Sequence, residues 1–399
     1  MSQSKSAGMA SRVGSLTPFL VMELMERALE MESRGQSVVH LEIGEPDQQA
    51  PPDVRRVAAQ VLENERSRYT DSRGLLALRE AIADDCERRS GARPDPANIL
   101  VTSGTSPAML LVFSLLLEPG DEVIVPEPFY ACYPNFVRYC GGVVVPVVTH
   151  ASEGFAVDPD EVKARITPRT RAIVLASPAN PTGAVQTPEV MNSLAQLGPP
   201  LVSDEIYHGL VYDGREATSA LSLDSESFVL DGFSKRYAMT GYRLGWLVAP
   251  DWAREPLRVM QQNFFISASD VAQRAGMAAL QSGAAALEGV RARYESHRDL
   301  MVKGLRELGF GIPSQPAGAF YVLAEAGDFG EDSLALAHAL LEKAGVAVAP
   351  GIDFGSSAEG MLRFSYAVSR SSIEEALARL GPVLPELARK VGSARKGDA

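Results

Sequence analysis

Between residues 99 and 230 the chain alternates short, continuous apolar runs with stretches of helical spacing, and this constrains the fold more than any other feature. The runs lie at 99–102, 122–125, 142–148, 172–175, 201–202 and 228–230, with helical stretches between several of them, as at 188–197. Ser103-Gly104-Thr105-Ser106 leads from the first run into a helix expected to reach Leu117. Strands apolar on both faces and separated by helices predict an α/β fold with a largely parallel central sheet covered on both sides. After about residue 290 the pattern changes. A charged helix at 291–308 leads to short strands at 319–323, 346–349 and 361–367, with helices near 334–344 and 372–380. This reads as a smaller α+β domain. At 19–34, Leu20, Leu24, Ala28 and Met31 share one helical face, and the segment is expected to pack on that small domain. The expected division is therefore 1–45, 46–290 and 291–399, since a 399-residue chain exceeds what one core supports. The cleft between domains is the expected active site.

Composition removes several function classes. A net charge of -12 argues against nucleic acid or an anionic membrane as partner. Three scattered cysteines and five histidines do not form a disulfide framework or a structural zinc site. The polar start, Met1 to Gly14, lacks the apolar stretch of a signal peptide, and no run reaches membrane-spanning length. A cytoplasmic protein is expected. A polar frayed start and a basic tail after Lys390 are the only biased segments.

Chemistry concentrates just past the apolar runs, where open parallel sheets bind ligands. Lys235 follows the run 228–230, and a lysine that loses its water there has a lowered pKa and a neutral amine able to form a Schiff base. Arg243, among glycines, can hold an anion such as a phosphate. An amine for an aldehyde and a cation for a phosphate are what pyridoxal phosphate requires. Gly104, Thr105 and Ser106 open a helix whose free N–H groups favour phosphate, although a small-residue cap explains them as well. Asn180-Pro181-Thr182-Gly183 reads equally as an ordinary turn or as a turn offering an asparagine to a ligand. Asp204, an acid at a buried strand end, is costly unless paired and suits a pyridine nitrogen. Tyr207 lies within reach of the same ring, and Glu205 reads as structural. Asp84 and Asp85 read as a solvated helix face.

The order of Gly104-Thr105-Ser106, Asn180-Pro181-Thr182-Gly183, Asp204-Glu205-Ile206-Tyr207, Ser234-Lys235 with Met239-Thr240-Gly241-Tyr242-Arg243-Leu244-Gly245, and Arg363-Phe364-Ser365 resembles the class I/II aminotransferases. These are pyridoxal phosphate enzymes of fold type I, the aspartate aminotransferase superfamily. The resemblance runs from Leu41-Glu42-Ile43-Gly44-Glu45-Pro46-Asp47 to the C-terminal helix. It implies that Lys235 joins the cofactor and shuttles the substrate's α-proton. It gives Asp204 to the pyridine nitrogen and Asn180 and Tyr207 to the phenolic oxygen. Arg243, Ser234 and the turn Gly104 to Ser106 fall to the cofactor and its phosphate, and Tyr130 to ring stacking. Arg363 would grip the substrate carboxylate in a two-pronged bond, with Asn180 beside it, and Gly44 would let the N-terminal segment close over it. A homodimer is implied, with Tyr69 reaching the partner's phosphate; otherwise Tyr69 is a surface tyrosine and Tyr130 a core aromatic.

There are two departures. Gly232 stands where many relatives carry a serine to the phosphate, which should weaken that grip modestly, and Ser106-Pro107 stands where some aspartate-using relatives place a lysine, which bears on substrate. Phe19, Phe264 and Phe265 suggest a partly apolar pocket, which points away from aspartate. The implied reaction moves an amino group between an L-amino acid and a 2-oxo acid in two half-reactions. Elimination at a sulfur-bearing β-carbon on the same scaffold is the nearest alternative. An aminotransferase-like regulatory protein is the other, but the forty residues before Leu41 do not resemble a DNA reader.

Overall fold

The structure, a computed structural model, describes residues 8–64, 66–281 and 284–397. The first seven residues of the polar start and the last two of the basic tail lie outside them. Strand β1 (Val39–His40) precedes a seven-stranded sheet formed by β2 (Ile99–Thr102), β3 (Glu122–Glu127), β4 (Val143–Val148), β5 (Thr170–Ala176), β6 (Leu201–Asp204), β7 (Phe228–Gly232) and β8 (Gly245–Val248). Its order is β2-β8-β7-β6-β5-β3-β4, parallel throughout except that β8 runs against both neighbours.

The period of two along each strand explains why both faces are apolar. Ile99, Val101, Ile173 and Val229 point into one cluster with Leu78 and Ile82 of the helix Leu76–Ser90 and Ala272 and Ala275 of the helix Asp270–Gln281. Leu100, Val174, Val202 and Leu230 point the other way, against Ala108, Met109 and Val112 of the helix Thr105–Leu116. Only β4, at the sheet edge, is largely exposed, and it tolerates Pro146 because an edge strand has no second neighbour to satisfy.

The C-terminal part forms a three-stranded antiparallel sheet, β11-β12-β9, from β9 (Tyr321–Glu325), β11 (Ala349–Pro350) and β12 (Met361–Ser365). β10 (Val346–Ala347) pairs in parallel with β1. Leu24, Ala28 and Met31 of the helix Leu20–Ser33 enter one apolar cluster with Met301, Leu305, Leu340 and Leu380. The N-terminal segment is thus packed against residues some 270 or more positions away in sequence.

Several sequence expectations change. The run 346–349 is two strands around Val348, one parallel to β1 and the other antiparallel to β12. The last helix spans Arg370–Gly397, through Pro382 and Pro385, and takes in most of the basic tail. Asp85 does not lie on a solvated face. It is buried beneath Arg88, Arg89 (2.8 Å) and Arg236 (2.9 Å), whereas Asp84 is exposed and meets Arg93 at 2.8 Å.

Candidate active site

A cavity of roughly 400 Å³ opens where the carboxyl ends of β6 and β7 face the small sheet and the N-terminal helix. Lys235, three residues past β7, projects into it and donates from Nζ to the carbonyl of Gly44 at 2.6 Å. Loss of water lowers its amine to about 8. Glu45 opposes that shift, while the nearby cations Arg363 and Arg243 reinforce it. Gly44 is required where it stands, since a Cβ there would lie 1.7 Å from the Tyr321 hydroxyl.

Asp204 ends β6 and is 6% exposed. Burial raises its carboxyl to about 6, against the hydrogen bonds it accepts from the Tyr133 hydroxyl (2.6 Å, to Oδ2) and the Ile206 N–H (3.3 Å, to Oδ1). Tyr130 stacks edge-on against Tyr133, ring centres 5.4 Å apart, and Phe19 packs on Tyr130 from the N-terminal side. Tyr207 is buried, its hydroxyl 2.8 Å from that of Tyr321.

Arg363 lies on β12, 2% exposed, with its guanidinium between the rings of Tyr321 (4.3 Å) and Phe354 (4.7 Å). It donates from Nη1 to Asn180 Oδ1 at 2.9 Å and from Nη2 to the carbonyl of Glu42, leaving Nε without a partner. No carboxylate among the described residues pairs with it. A buried cation held only by neutral oxygens is poised for an anion.

At the other end of the cavity, Gly104 adopts φ +93° and ψ 175°, a conformation nearly confined to glycine. A Cβ on Gly104 would come within 2.8 Å of Arg243 Nη2, and one on Gly245 within 3.0 Å of Thr105 N. Two bare backbones therefore bring a guanidinium to the free N-terminus of the helix Thr105–Leu116, which has no side-chain cap. Arg243 forms no ion pair among the described residues, and Thr105, Ser106 and Ser234 line the same cavity. A lysine amine near neutrality, a buried acid and an anion cradle in one cavity fit pyridoxal phosphate.

The structure thus brings together every sequence-predicted site residue except Tyr69. That side chain is 81% exposed and stands apart, beside Arg66, Arg68 and Asp270. Of the three phenylalanines expected in the pocket only Phe19 lines it; Phe264 is 64% exposed and Phe265, partly buried, packs against the apolar cluster of the helix Thr105–Leu116. Tyr133, Tyr321 and Phe354 were not assigned roles from sequence. Tyr133 lies within the motif containing Tyr130, a signal for it. Tyr321 and Phe354 meet Arg363 only through tertiary folding and left no local signal.

Residues 36–380 match the family model for aminotransferase class I and II. The chain is 38% identical to the aspartate/prephenate aminotransferase of Thermus thermophilus, over 94% of its length and 99% of that protein. It is 39% identical to the valine–pyruvate aminotransferase of Mycobacterium tuberculosis, over 94% and 98%. The solved aspartate aminotransferase from Thermus thermophilus with maleate superposes with a TM-score of 0.90, at 38% identity, covering 94% of this chain and all of that one. This chain belongs to the class I and II aminotransferases, enzymes of fold type I that use pyridoxal phosphate to transfer amino groups.

Proposed function

We propose that Lys235 is the catalytic amine, that Arg363 binds the substrate's α-carboxylate, and that the enzyme moves nitrogen from an apolar L-amino acid to a 2-oxo acid by a ping-pong route. The observation that carries this reading is Arg363: a buried guanidinium, sandwiched by two rings, with an unpartnered Nε and no carboxylate of its own.

Bound there, pyridoxal phosphate supplies an aldehyde for an amine and a ring that takes up the electron pair of the α-carbon. Arg243 with the Gly104–Ser106 turn and Ser234 would hold its phosphate end, Asp204 its ring nitrogen, Asn180 and Tyr207 its phenolic oxygen, and Tyr130 its face. Lys235 Nζ, neutral in a useful fraction of molecules, would take the substrate's α-proton and hold it on the same face for its return. Arg363 orients the α-carboxylate so that this proton faces Lys235. Val21 and Met22 of the N-terminal helix and Ile43 line the same cavity as the amine.

The cations lining the cavity among the described residues are Lys235, Arg243 and Arg363, all with roles already. Phe19, Val21, Met22 and Ile43 form the wall nearest the N-terminal helix, which favours an apolar side chain. Two relatives bear on this differently, one named for aspartate and prephenate and the other for valine. Purified protein should show the visible absorbance of cofactor joined to lysine, absent in Lys235→Ala. A panel of amino acids, each in a single turnover, should bleach that band fastest with an apolar donor. Absorbance that survives Lys235→Ala overturns the lysine's role; aspartate as fastest donor overturns the substrate class.

The division at residues 45/46 and 290/291 is part of this proposal; two apolar clusters lie within 46–290, and a third gathers mainly residues before 45 and after 290, joined by Ile206, Tyr207, Leu210 and Tyr212. So is a homodimer in which Tyr69 serves the other subunit's site, which its exposure outside its own cavity supports. Cytoplasmic location is likewise proposed, on the three free thiols Cys86, Cys132 and Cys140. No helix among the described residues is long and apolar enough to cross a membrane.

A further inference from the structure

The segment 39–44 touches both ends of the chemistry through its carbonyls. That of Glu42 accepts from Arg363 Nη2, and that of Gly44 accepts from Lys235 Nζ at 2.6 Å. Its course is fixed by main-chain bonds on one side: Val39 N to Gly345 O (2.8 Å), Leu41 N to Ala347 O (2.9 Å) and Ser365 N to Leu41 O (2.8 Å). On the other side it is held by side chains. His40 ends β1 and Glu42 lies two residues on, in the bend that follows. His40 Nδ1 lies 2.7 Å from Glu42 Oε1, and His40 Nε2 lies 3.5 Å from Glu32 Oε1 on the helix Leu20–Ser33. Both ring nitrogens therefore face carboxylate oxygens, which only the doubly protonated imidazolium satisfies. The Glu42 side chain is 0% exposed, and its Oε2 has no partner. A buried carboxylate in that state needs the charge of His40.

We propose that His40, as imidazolium, and Glu42 form a positioning pair that holds segment 39–44 so that its carbonyls set Arg363 and Lys235. This rests on the reading of Arg363 as the substrate-carboxylate residue. Neither member touches substrate or cofactor. The charged groups around the pair are Glu32 on the N-terminal helix, Arg363 on β12, and Arg379 of the last helix. Arg379 is engaged with Glu375, Ser37 and the carbonyl of Gly345. The hydrogen bond that His40 donates to Glu42 is the main cause that raises the His40 pKa above its ordinary value. The contribution is therefore complete below the usual imidazole range and is lost as pH rises through the raised value.

Two measurements test the pair. In the holoenzyme labelled at histidine ring carbons, the His40 resonance, identified by its loss in His40→Asn, should titrate above an ordinary histidine and return toward normal in Glu42→Gln. If none of the five histidines of the wild type titrates above an ordinary imidazole, the proposal is overturned without any variant having to fold. In steady state, His40→Asn keeps a donor at Nδ1 but loses the charge. It should raise KM for the amino donor roughly three- to tenfold, part of the worth of a charged hydrogen bond. It should also abolish the rise of wild-type KM with pH on that side, with kcat little changed, and His40→Lys should restore part of the loss. A pH-dependent KM that persists in His40→Asn overturns the pairing. Arg363→Lys separates the two readings. If it leaves KM unchanged, the carboxylate assignment itself fails; if it raises KM while the His40 variants do not, only the positioning pair falls.

Discussion

At the scale of single residues the decisive quantity is how often the Lys235 amine is uncharged. With its pKa lowered to about 8, roughly one molecule in ten carries a neutral amine at pH 7; an unperturbed lysine would offer roughly one in three thousand. Cofactor capture by apoprotein should accordingly quicken with rising pH and level off above about 8. Stopped-flow mixing with pyridoxal phosphate reads this directly, and a rate still climbing steeply at pH 10 would show that the amine is not shifted. Arg363 makes a second prediction. Lysine keeps the charge but lacks the planar fork that fits between Tyr321 and Phe354. Arg363→Lys should weaken binding of every amino donor by about 2 kcal/mol, roughly thirtyfold in KM, with a smaller change in kcat.

At the scale of elements, the lysine turn is held from behind by a helix. Asp85, on Leu76–Ser90, meets Arg236, the residue after Lys235, and Arg89, which in turn reaches Asp231 at 2.9 Å. Both flanks of the turn thus depend on one buried carboxylate. Asp85→Asn leaves the buried Arg236 without its carboxylate and should cost about 3–5 kcal/mol in chemical unfolding. These arginines hold the carboxyl of Asp85 below its ordinary value despite burial. Its stabilisation is therefore present above the usual aspartate pKa and is lost as pH falls through the lowered one, so the stability gap between wild type and Asp85→Asn should narrow as pH drops below the usual aspartate range.

The strand–turn–helix at Gly104 gives a second test at this scale. Gly104→Ala forces a side chain into a glycine-only conformation and against Arg243, so the dissociation constant for pyridoxal phosphate should rise about ten- to a hundredfold, by spectroscopic titration. These elements also mark how far the sequence is legible. The parallel strands were visible because strands covered on both faces are continuously apolar. β8 was missed because its four residues follow directly on the lysine and arginine motif, and nothing local marks the one reversed strand. Asp85 was misread because its burial depends on Arg236, some 150 residues away. Lys235, Asp204, Asn180 and Arg243 could be read because each sits at a strand end or tight turn. The rings around Arg363 could not, because they meet it only in the folded chain.

At the scale of the whole molecule, the remaining question is where Tyr69 acts. Its ring is 81% exposed and lies outside the cavity that holds Lys235. Sixteen large apolar or aromatic side chains are exposed among the described residues, and Tyr69 is the most exposed of them. In the proposed dimer it would be covered, and the partner subunit's Tyr69 would complete each site. Hybrid dimers decide the matter. Lys235→Ala chains carry an intact Tyr69, and Tyr69→Ala chains carry an intact Lys235. If Tyr69 acts across the interface, a mixed dimer contains one complete site, with its lysine from one chain and its tyrosine from the other. Mixing and refolding the two weakly active variants should then restore activity, up to about half the wild-type value per hybrid dimer. If Tyr69 serves its own chain, the only site with a lysine still lacks its tyrosine, and mixing restores nothing. A species of monomeric mass that is fully active at micromolar concentration would overturn both the dimer and the shared site.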